Sequence, residues 1–526
     1  MTAIVFPGQV ILVEPTSETT PANLPGSKSI TYKGKEYVAL RHNLDSCHML
    51  ARLGIEVVSP IRTEYVWSGQ YDPFTHQLRT AEFFANHWRA FCFNEIGTGK
   101  TMAALWAADY LMQQGKIKKA VIVSTLSTLQ TVWADEIFRH MSHRTFAIVH
   151  GSEKKRNEAL AQDVDFYIIN HDGLKTICDW DIVHDKKFLK GCKLDGRDDI
   201  NLIIMDECAK FRNAGTDIYE AFMRCLGERG TWMMSGSPMP NAPTDIWAQA
   251  KIVCPSRVPR YFSRFRDKVM RQAGPYKWIP KTGWQDTVYE MITPSILFTR
   301  DDCLDLPPCQ FLLKKVPMSP QQDKAYKELK ATFTLELEQG KITAVNEGVK
   351  RIKLIQLACG AIYDSVGETH IIPAKPKYEL LEQTFYDSGR KLLVYVPFKH
   401  VLKNVHDFFV KLGVTCSMIS GDVATGKRAD IFHNFQHGEL EVIVAHPACL
   451  AHGLTLTACN TIFWFAPLDD NEIYEQANGR ITRPGQVNKQ TIVQASCSPV
   501  EEAMYKNLDT KQTNQGLLLK LLKDEL

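Results

Sequence analysis

The sequence predicts an α/β fold in which two lobes are each built on a parallel sheet covered by helices. Short apolar runs alternate with helical patterns over residues 71–250, and the alternation returns over residues 376–500. Parallel strands need a crossover segment between them, usually a helix, so this alternation is typical of parallel sheets. Within the first block, a glycine-rich loop joins a strand to a helix, and a second buried strand ends in two acids. Together these observations predict a phosphate-binding site in the first lobe.

A chain of 526 residues is too long for a single hydrophobic core. We expect a small N-terminal accessory domain, a first lobe, a helical middle region, a second lobe and a C-terminal helix. Their predicted ranges are 1–70, 71–250, 251–375, 376–505 and 506–526.

Composition excludes several classes of protein. The net charge of +3 excludes a histone-like polycation but is compatible with a local basic channel. No apolar run reaches the roughly 18 residues that indicate a membrane span, and the N-terminus lacks the pattern of a signal peptide. We therefore interpret the terminal KDEL as the end of an amphipathic helix in a protein that is not secreted. The fourteen scattered cysteines favour a reducing compartment, so we expect bacterial or viral-host cytoplasm, or a nucleus if the source is eukaryotic.

The stretch Phe93–Thr101 (FNEIGTGKT) follows an apolar run and precedes the Ala-rich helical pattern MAALWAADYLM. A loop in this position directs backbone N–H groups and a helix N-terminus at one point, which makes an anion site. Lys100 can reach the β- and γ-phosphates of a nucleotide, and Thr101 can offer its hydroxyl to Mg²⁺. Asn94 stands where the full GxxxxGK[ST] pattern has its first glycine, so a plain strand-to-helix connection is the alternative. The candidate nucleotide-binding residues here are Gly97, Thr98, Gly99, Lys100 and Thr101.

The segment NLIIMDE has the pattern of a buried strand that ends in Asp206 and Glu207. Asp206 is placed to hold Mg²⁺, and Glu207 to polarise an attacking water. A solvated acidic turn is the alternative, but it loses weight because the phosphate-binding loop lies about a hundred residues upstream. The two features together predict hydrolysis of a nucleoside triphosphate.

The second lobe has no phosphate loop of its own but contains YEQANGRITRPGQ, residues 474–486. Arg480 and Arg483 are three residues apart, so on a helix they share a face. Two guanidinium groups on one face suit phosphate oxygens, and a partner lobe commonly supplies an arginine that stabilises the transition state. An ordinary solvated helix surface is the alternative.

Six segments resemble, in order, the Swi/Snf-type ATPases of helicase superfamily two, in a compact form, over about residues 71–505. The phosphate loop is similar to the family's DEMGLGKT, and MDECAKFRN is similar to its DEAH-type box. MSGSPMPNAPTDIW resembles TGTPLQNNLEELW, a match that nucleotide chemistry alone does not explain. The other three matches are residues 421–435, 446–465 and 476–486.

This resemblance implies two tandem RecA-like lobes and an ATP hydrolase that uses Mg²⁺, with catalytic roles for Lys100, Glu207, Arg480 and Arg483. It implies that Gln77, the last residue of PFTHQ, reads the edge of adenine. It also implies that three residues couple the nucleotide state to movement, although a strand-end turn is the alternative for the first two. These residues are Ser235, Gly236 and Gln476.

Two departures from the family pattern put family roles in doubt. Cys208 and Ala209 stand where the box normally ends in a histidine, so coupling through that histidine is absent. His446 and Pro447 replace a Ser-Thr pair in the second lobe, where the family contacts DNA.

A motor that follows DNA of any sequence needs contacts to phosphates rather than to base edges. By resemblance, the candidate DNA-binding residues are Ser124, Thr125, Ser127 and Asn170 in the first lobe and Lys399 and Gly421 in the second. Helix capping is the alternative for the three hydroxyl residues. Residues 256–271 also hold six basic residues interleaved with aromatics, which either line a DNA groove or form a solvated helix face.

The resulting hypothesis is an ATP-dependent translocase on duplex DNA that remodels branched DNA or displaces bound protein. One alternative is a strand-separating DNA or RNA helicase on the same core, and another is a nucleotide-gated binding module with weak ATPase activity. We expect a monomer with duplex or branched DNA as its partner and no membrane partner. Residues 1–70 are the predicted surface for any protein partner.

Overall fold

The computed structural model describes residues 3–20, 23–55, 57–183, 186–274, 277–303, 306–338, 344–363, 369–389, 391–450 and 455–510. Two large sheets, each with parallel strands and flanking helices, form the bulk of the chain, and a small antiparallel sheet precedes them. The predicted α/β fold with two RecA-like lobes is thereby confirmed.

The N-terminal unit is an antiparallel sheet with strand order β1-β2-β4-β3. Its strands are β1 (Ile4–Phe6), β2 (Val10–Val13), β3 (Lys28–Tyr32) and β4 (Lys35–Arg41). Helix α1 (Leu44–Arg52) packs on this sheet, and α2 (Ile61–Glu64) leads to the first lobe. There the Tyr65 hydroxyl donates to Asp109 over 2.5 Å, and Trp67 packs edge to face on Trp106. The unit is therefore joined to the first lobe by a buried polar contact and by aromatic packing.

The first lobe contains a seven-stranded sheet of order β15-β5-β12-β11-β6-β8-β7, in which every pair is parallel. Two antiparallel hairpins, β9-β10 and β13-β14, are inserted in the same region. The strands are β5 (Arg89–Cys92), β6 (Lys119–Ser124), β7 (Phe146–Val149), β8 (Phe166–Asn170), β9 (Cys178–Val183), β10 (Lys186–Cys192), β11 (Ile200–Asp206), β12 (Gly230–Met234), β13 (Met270–Gly274), β14 (Lys277–Pro280) and β15 (Ser295–Ile296).

The helices of the first lobe are α3 (Thr75–Asn86), α4 (Lys100–Gln113), α5 (Asp135–His140), α6 (Glu153–Leu160), α7 (Gly173–Thr176), α8 (Asp217–Leu226), α9 (Ile246–Val253), α10 (Phe262–Val269) and α11 (Trp284–Met291). A π-helix at Leu129–Ala134 precedes α5. The apolar runs at the centres of β6 and β11 are fully buried because helices cover both faces of the sheet. Helix α4 is rich in alanine, and its four alanines have at most 1% of their surface exposed. Small side chains let this helix lie close to the sheet, directly behind the phosphate-loop sequence.

The second lobe contains a six-stranded parallel sheet of order β16-β23-β22-β19-β21-β20, and a small hairpin, β17-β18, lies before its central strands in sequence. The strands are β16 (Cys309–Lys315), β17 (Ala361–Tyr363), β18 (Thr369–Ile371), β19 (Leu392–Tyr395), β20 (Cys416–Ile419), β21 (Val442–Ala445), β22 (Thr461–Trp464) and β23 (Gln490–Ser496). The short helix α12 (Arg300–Cys303) lies between the two sheets in sequence. The helices of the second lobe are α13 (Pro320–Glu338), α14 (Ala344–Ala358), α15 (Lys375–Asp387), α16 (Lys399–Lys411), α17 (Thr425–His437), α18 (Pro447–Leu450) and α19 (Asn471–Asn478).

The middle region, 251–375, contributes to both sheets, which the helical pattern of its sequence did not indicate. Strand β15 pairs with β5 of the first lobe, and β16 pairs with β23 of the second. Ile355 on α14 belongs to the same hydrophobic cluster as Leu392 on β19. The chain therefore passes from the first sheet to the second between β15 and β16 in sequence, although the predicted domain boundaries themselves stay predictions.

No helix in the part of the chain that the structure describes is long and apolar enough to cross a bilayer. The backbone is helical over residues 499–510. Most of the predicted C-terminal helix, 511–526, lies outside the described residues.

Candidate nucleotide site between the lobes

The glycine-rich loop joins β5 to α4, as its sequence predicts. Gly97 and Gly99 have φ angles of +92° and +77°, in the left-handed region that favours glycine. A Cβ on Gly99 would lie 2.0 Å from the Gln77 side-chain nitrogen, so this position also requires the absence of a side chain. The loop therefore takes a conformation in which the N-terminal N–H groups of α4 stay open to an anion.

The side chains of Lys100 and Asn94 hold the glycine-rich loop in place through hydrogen bonds. The Lys100 Nζ donates to the carbonyl oxygens of Asn94 and Glu95, over 2.7 and 3.1 Å. The Asn94 amide donates to Thr80 on α3 over 2.8 Å, and its oxygen accepts from the backbone N–H of Phe298 over 2.9 Å. The Asn94 side chain thus links the loop to two neighbouring segments. The glycine expected at this position has no side chain and could not form these bonds.

The acidic pair lies at the carboxyl end of β11, between β6 and β12 in the sheet. One Asp206 carboxylate oxygen accepts from the Ser124 hydroxyl over 2.9 Å and from the Trp133 indole N–H over 3.2 Å. The other oxygen accepts from the Glu207 backbone N–H over 3.1 Å. These three donors fix the orientation of the Asp206 carboxylate before any ligand arrives.

Glu207 sits in a strained backbone conformation, with a φ of +52°. Residues held in such sparsely populated regions cluster at functional sites. Burial, and then the negative charges of Asp206 and Glu472, raise the pKa of Glu207 to about 8. A carboxyl group with a pKa near neutrality is suited to accept a proton.

Arg480 and Arg483 reach this same region from the second lobe. Arg483 lies against the phosphate loop: a Cβ on Gly97 would be 3.4 Å from the Arg483 Cδ. Burial lowers the pKa of Arg480 to about 10, and burial with the charges of Arg480 and Arg300 lowers that of Arg483 to about 9. A guanidinium group destabilised in this way gains from a nearby anion.

The prediction that the two arginines share a helix face is wrong. Helix α19 ends at Asn478, and Arg480 and Arg483 lie in the turns that follow it. Instead, each arginine is held by the backbone: the Arg480 Nε donates to the Gln476 carbonyl over 2.9 Å, and the Arg483 Nε to that of Gly479 over 3.1 Å.

The loop, the acids and the arginines border one cavity of about 310 Å³ between the lobes. Gln476 also borders it; the Gln476 side chain is 2% exposed, and neither of its amide atoms has a partner among the described residues. The lining residues from the first lobe include Gly97, Gly99, Lys100, Thr101, Asp206 and Glu207, and those from the second include Thr455, Gln476, Arg480 and Arg483.

Two predicted nucleotide ligands do not border this cavity. Gln77 is 4% exposed; its side-chain oxygen accepts from the Phe74 backbone N–H over 2.9 Å, and its nitrogen lies against Gly99. Thr98 is 2% exposed, and its carbonyl faces the His76 Nε2 at 2.8 Å. Gln77 packs against the loop, Thr98 is buried within it, and their predicted roles stay predictions.

The segment that follows β12 forms a hydrogen bond to the second lobe. Ser235 is fully buried, and its hydroxyl accepts from the Ser237 backbone N–H over 3.0 Å. Gly236 packs on the loop, since a Cβ there would be 3.0 Å from the Ile96 side chain. The Ser237 hydroxyl donates to the Glu475 carboxylate of the second lobe. Sequence analysis missed this pair, and the only hint was that Glu475 directly precedes Gln476 in the arginine segment.

Ser124 is buried in the structure, and its predicted contact with DNA stays a prediction. Ser124 has no exposed surface, and its hydroxyl is used by Asp206 and Thr128. Its role is to orient the acid, because β6 and β11 are neighbours and their carboxyl ends meet.

The other candidate DNA-binding residues are open to solvent to differing extents. Thr125 and Asn170 are half-buried at strand ends, while Ser127 is exposed. Lys399 forms an exposed ion pair with Asp422 over 2.5 Å, and Gly421 is exposed with open space around it. Their contacts with DNA stay predictions.

Comparison with known proteins gives two family matches. The SNF2-related domain matches residues 76–359, and the helicase conserved C-terminal domain matches residues 376–485. Protein p41 of Acyrthosiphon pisum secondary endosymbiont phage 1 is 26% identical over 81% of this chain and 94% of its own length. Nuclear protein STH1/NPS1 of Saccharomyces cerevisiae is 22% identical over 84% of this chain, which spans only 34% of that relative. The solved Sulfolobus solfataricus SWI2/SNF2 ATPase core in complex with dsDNA aligns over 87% of this chain and 96% of its own, with 17% identity and a TM-score of 0.40.

Proposed function

The chain belongs to the SNF2-related family, and on that premise we propose that it couples ATP hydrolysis between its lobes to movement along duplex DNA. Family membership makes it an ATP hydrolase of helicase superfamily two. The finer proposal is that this movement remodels branched DNA or displaces bound protein.

The observation that carries the proposal is the shared cavity. Lys100 and Glu207 enter it from the first lobe, and Arg480 and Arg483 enter it from the second. Neither lobe alone contains all four of these side chains, so hydrolysis requires the two lobes to lie against each other. Such dependence is what converts a chemical cycle into a mechanical one.

The donors in this cavity fit a triphosphate with its metal ion. The guanidinium groups of Arg480 and Arg483 border the cavity, and burial lowers the pKa of each. Neither amide atom of Gln476 has a partner among the described residues. Thr101 and Asp206 offer a hydroxyl and an oriented carboxylate, which are the oxygen ligands that Mg²⁺ prefers. Bound there, Mg²⁺ would neutralise charge that develops on the phosphate oxygens.

The protein's own residues supply the remaining chemistry. Glu207 accepts a proton from the attacking water in its ionised form, which the positive charges of Lys100 and Arg480 favour. Lys100 exchanges its bonds to loop carbonyls for bonds to phosphate oxygens. Arg483, which already touches the loop, stabilises the charge on the γ-phosphoryl group in the transition state.

Interlobe contacts transmit the nucleotide state. Ser237 donates to Glu475, and Arg212 of the first lobe lies 3.6 Å from the Glu472 carboxylate of the second. Both acids are on α19, which leads directly to the arginines. When the γ-phosphate leaves, the arginines lose their anion, and α19 is free to part from the first lobe. If each lobe grips DNA phosphates in turn, one cycle of closing and opening is one step.

The proposal is tested by measuring ATP turnover with different nucleic acids. We expect duplex DNA to raise turnover roughly tenfold or more, which corresponds to lowering the barrier by about 1.4 kcal/mol. Blunt duplexes should stay annealed throughout. Stimulation by single strands alone, with separation of a duplex, would instead indicate a strand-separating helicase. Absence of turnover with every nucleic acid would leave a nucleotide-gated binding module.

A further inference from the structure

The basic segment after α9 forms an exposed patch on the first lobe, away from the nucleotide cavity. We call the side chains of Arg257, Arg260, Tyr261, Phe262, Arg264 and Lys268 the α10 patch. None of them borders the cavity between the lobes. The patch therefore needs an explanation other than ATP hydrolysis.

The fold of α10 places its cations together. Phe265 and Val269 are fully buried and anchor one side of the helix in the first-lobe core. Arg264 and Lys268 are one turn apart and exposed, so they lie side by side on the outer surface. With Arg257 and Arg260 they line a single surface depression of about 370 Å³.

Among the residues that the structure describes, no acid lines this positively charged depression. The acid within the helix, Asp267, is bound by Arg266 over 3.0 Å. Within the described part of the chain, none of the four cations in the depression forms an ion pair, and Arg257 instead donates to the Thr293 carbonyl over 3.1 Å. Like charges at this spacing repel each other, so an anion bound among them is favoured.

Exposed aromatic rings stand beside these cations. Tyr261 and Phe262 are 53% and 43% exposed. The guanidinium carbons of Arg260 and Arg264 each lie 5.6 Å from the centre of the Tyr261 ring, and Phe262 is held edge to face against Trp247. Exposed aromatic rings beside arginines are the combination with which proteins bind unpaired bases and their phosphates.

We propose that the α10 patch binds single-stranded nucleic acid, with phosphates in the depression and bases stacked on Tyr261 and Phe262. The bases of a duplex are already stacked on each other, so a duplex presents only its phosphates to this surface. The exposed rings of Tyr261 and Phe262 would then have no base to stack on. This inference extends the proposed function, since it makes the unpaired arm of a branched DNA a second ligand. Binding at the patch does not require ATP hydrolysis. An experiment can therefore contradict single-strand binding at the patch without contradicting ATP-driven movement along duplex DNA, and the reverse also holds.

The test measures binding of the full chain without nucleotide, by fluorescence anisotropy. The probes are an oligothymidine of about 15 nucleotides and a blunt duplex of the same length. The double substitution Arg264→Glu/Lys268→Glu should weaken binding of the single strand at least about tenfold and reduce its salt slope by about 1.4, because two phosphate contacts are lost. The charge-matched control is Lys154→Glu/Lys411→Glu, at exposed positions on α6 and α16, and it should change affinity less than about twofold.

A second variant separates stacking from charge. Tyr261→Ala/Phe262→Ala should weaken oligothymidine binding at least about fivefold, with an unchanged salt slope and unchanged duplex affinity. The proposal is overturned if this variant binds the single strand like wild type, or if it loses duplex affinity equally. It is also overturned if the charge-reversed variant behaves like its control. Thermal melting of each variant establishes that it is folded.

Discussion

Replacing Lys100 by alanine is expected to reduce ATP turnover at least about 10³-fold, to below the detection limit of a steady-state assay. The ammonium group lies over the glycine-rich loop, held by two carbonyl oxygens, at the point where phosphate oxygens would take their place. Alanine cannot neutralise the charge that accumulates on those oxygens in the transition state. The loss should therefore appear in the chemical step as well as in ATP binding.

The fold of this variant should be preserved. Lys100 is half-buried, and its bonds to the loop are worth about 1–2 kcal/mol at most. Lys116→Ala is the matched control, because this exposed lysine lies just after the same helix and its ion pair with Asp45 is exposed. The control should retain its turnover, and both variants should melt within a few degrees of wild type. Wild-type hydrolysis by Lys100→Ala would remove the loop from the catalytic site.

Arg483→Ala is expected to lower duplex-stimulated turnover by about 10³- to 10⁵-fold, the range associated with an arginine supplied to a phosphoryl-transfer site. Arg483 comes from the second lobe yet touches Gly97 of the first. Its charge is penalised by burial and by two neighbouring cations, so it is best stabilised when the phosphate charge is greatest. The effect of Arg483 is therefore expected in the transition state rather than in ground-state binding.

Equilibrium binding of a fluorescent ATP analogue, measured beside single-turnover hydrolysis, separates these effects. ATP affinity should change far less than turnover, and Arg483→Lys should recover only part of the rate, because lysine lacks the planar fork of donors. A loss confined to affinity would make Arg483 a binding residue. In that case the charge stabilisation would have to come from Arg480.

Much of the fold was predictable because its determinants are local. Buried parallel strands give continuous apolar runs such as LIIM before Asp206. The glycine-rich loop is recognisable from its residue types and their spacing. Asp206 and Lys100 border the same cavity because β11 and β5 end at the same edge of one parallel sheet, separated only by β12. Alternation of strands and helices therefore predicted both the fold and the first-lobe half of the site.

The features that were missed or misplaced depend on contacts between distant segments. The Ser124 hydroxyl donates to Asp206, 82 positions away, so this contact could not be assigned from the neighbouring sequence. Ser237 and Glu475 lie 238 positions apart and meet only because the lobes close on each other. Strands β15 and β16 are short or lie at a sheet edge, and the apolar signal of such strands is weak beside long helical patterns.

The arginine segment shows both the strength and the limit of reasoning from residue types. Arg480 and Arg483 were expected in the cleft, and the structure brings both to the cavity that Lys100 borders. The geometry assumed for them was wrong, because α19 stops two residues before Arg480. The chemistry of arginine was sufficient to choose these two residues. The direction of their side chains is set by backbone turns, which the spacing of the residues did not reveal.

The central claim, that hydrolysis between the lobes drives movement along duplex DNA, is tested most directly by displacement of a third strand from a DNA triplex. With ATP, the wild-type chain should release the third strand while the two duplex strands stay annealed, and Lys100→Ala should release none. Duplex-stimulated hydrolysis with the third strand left in place would contradict the claim, as would separation of the duplex strands.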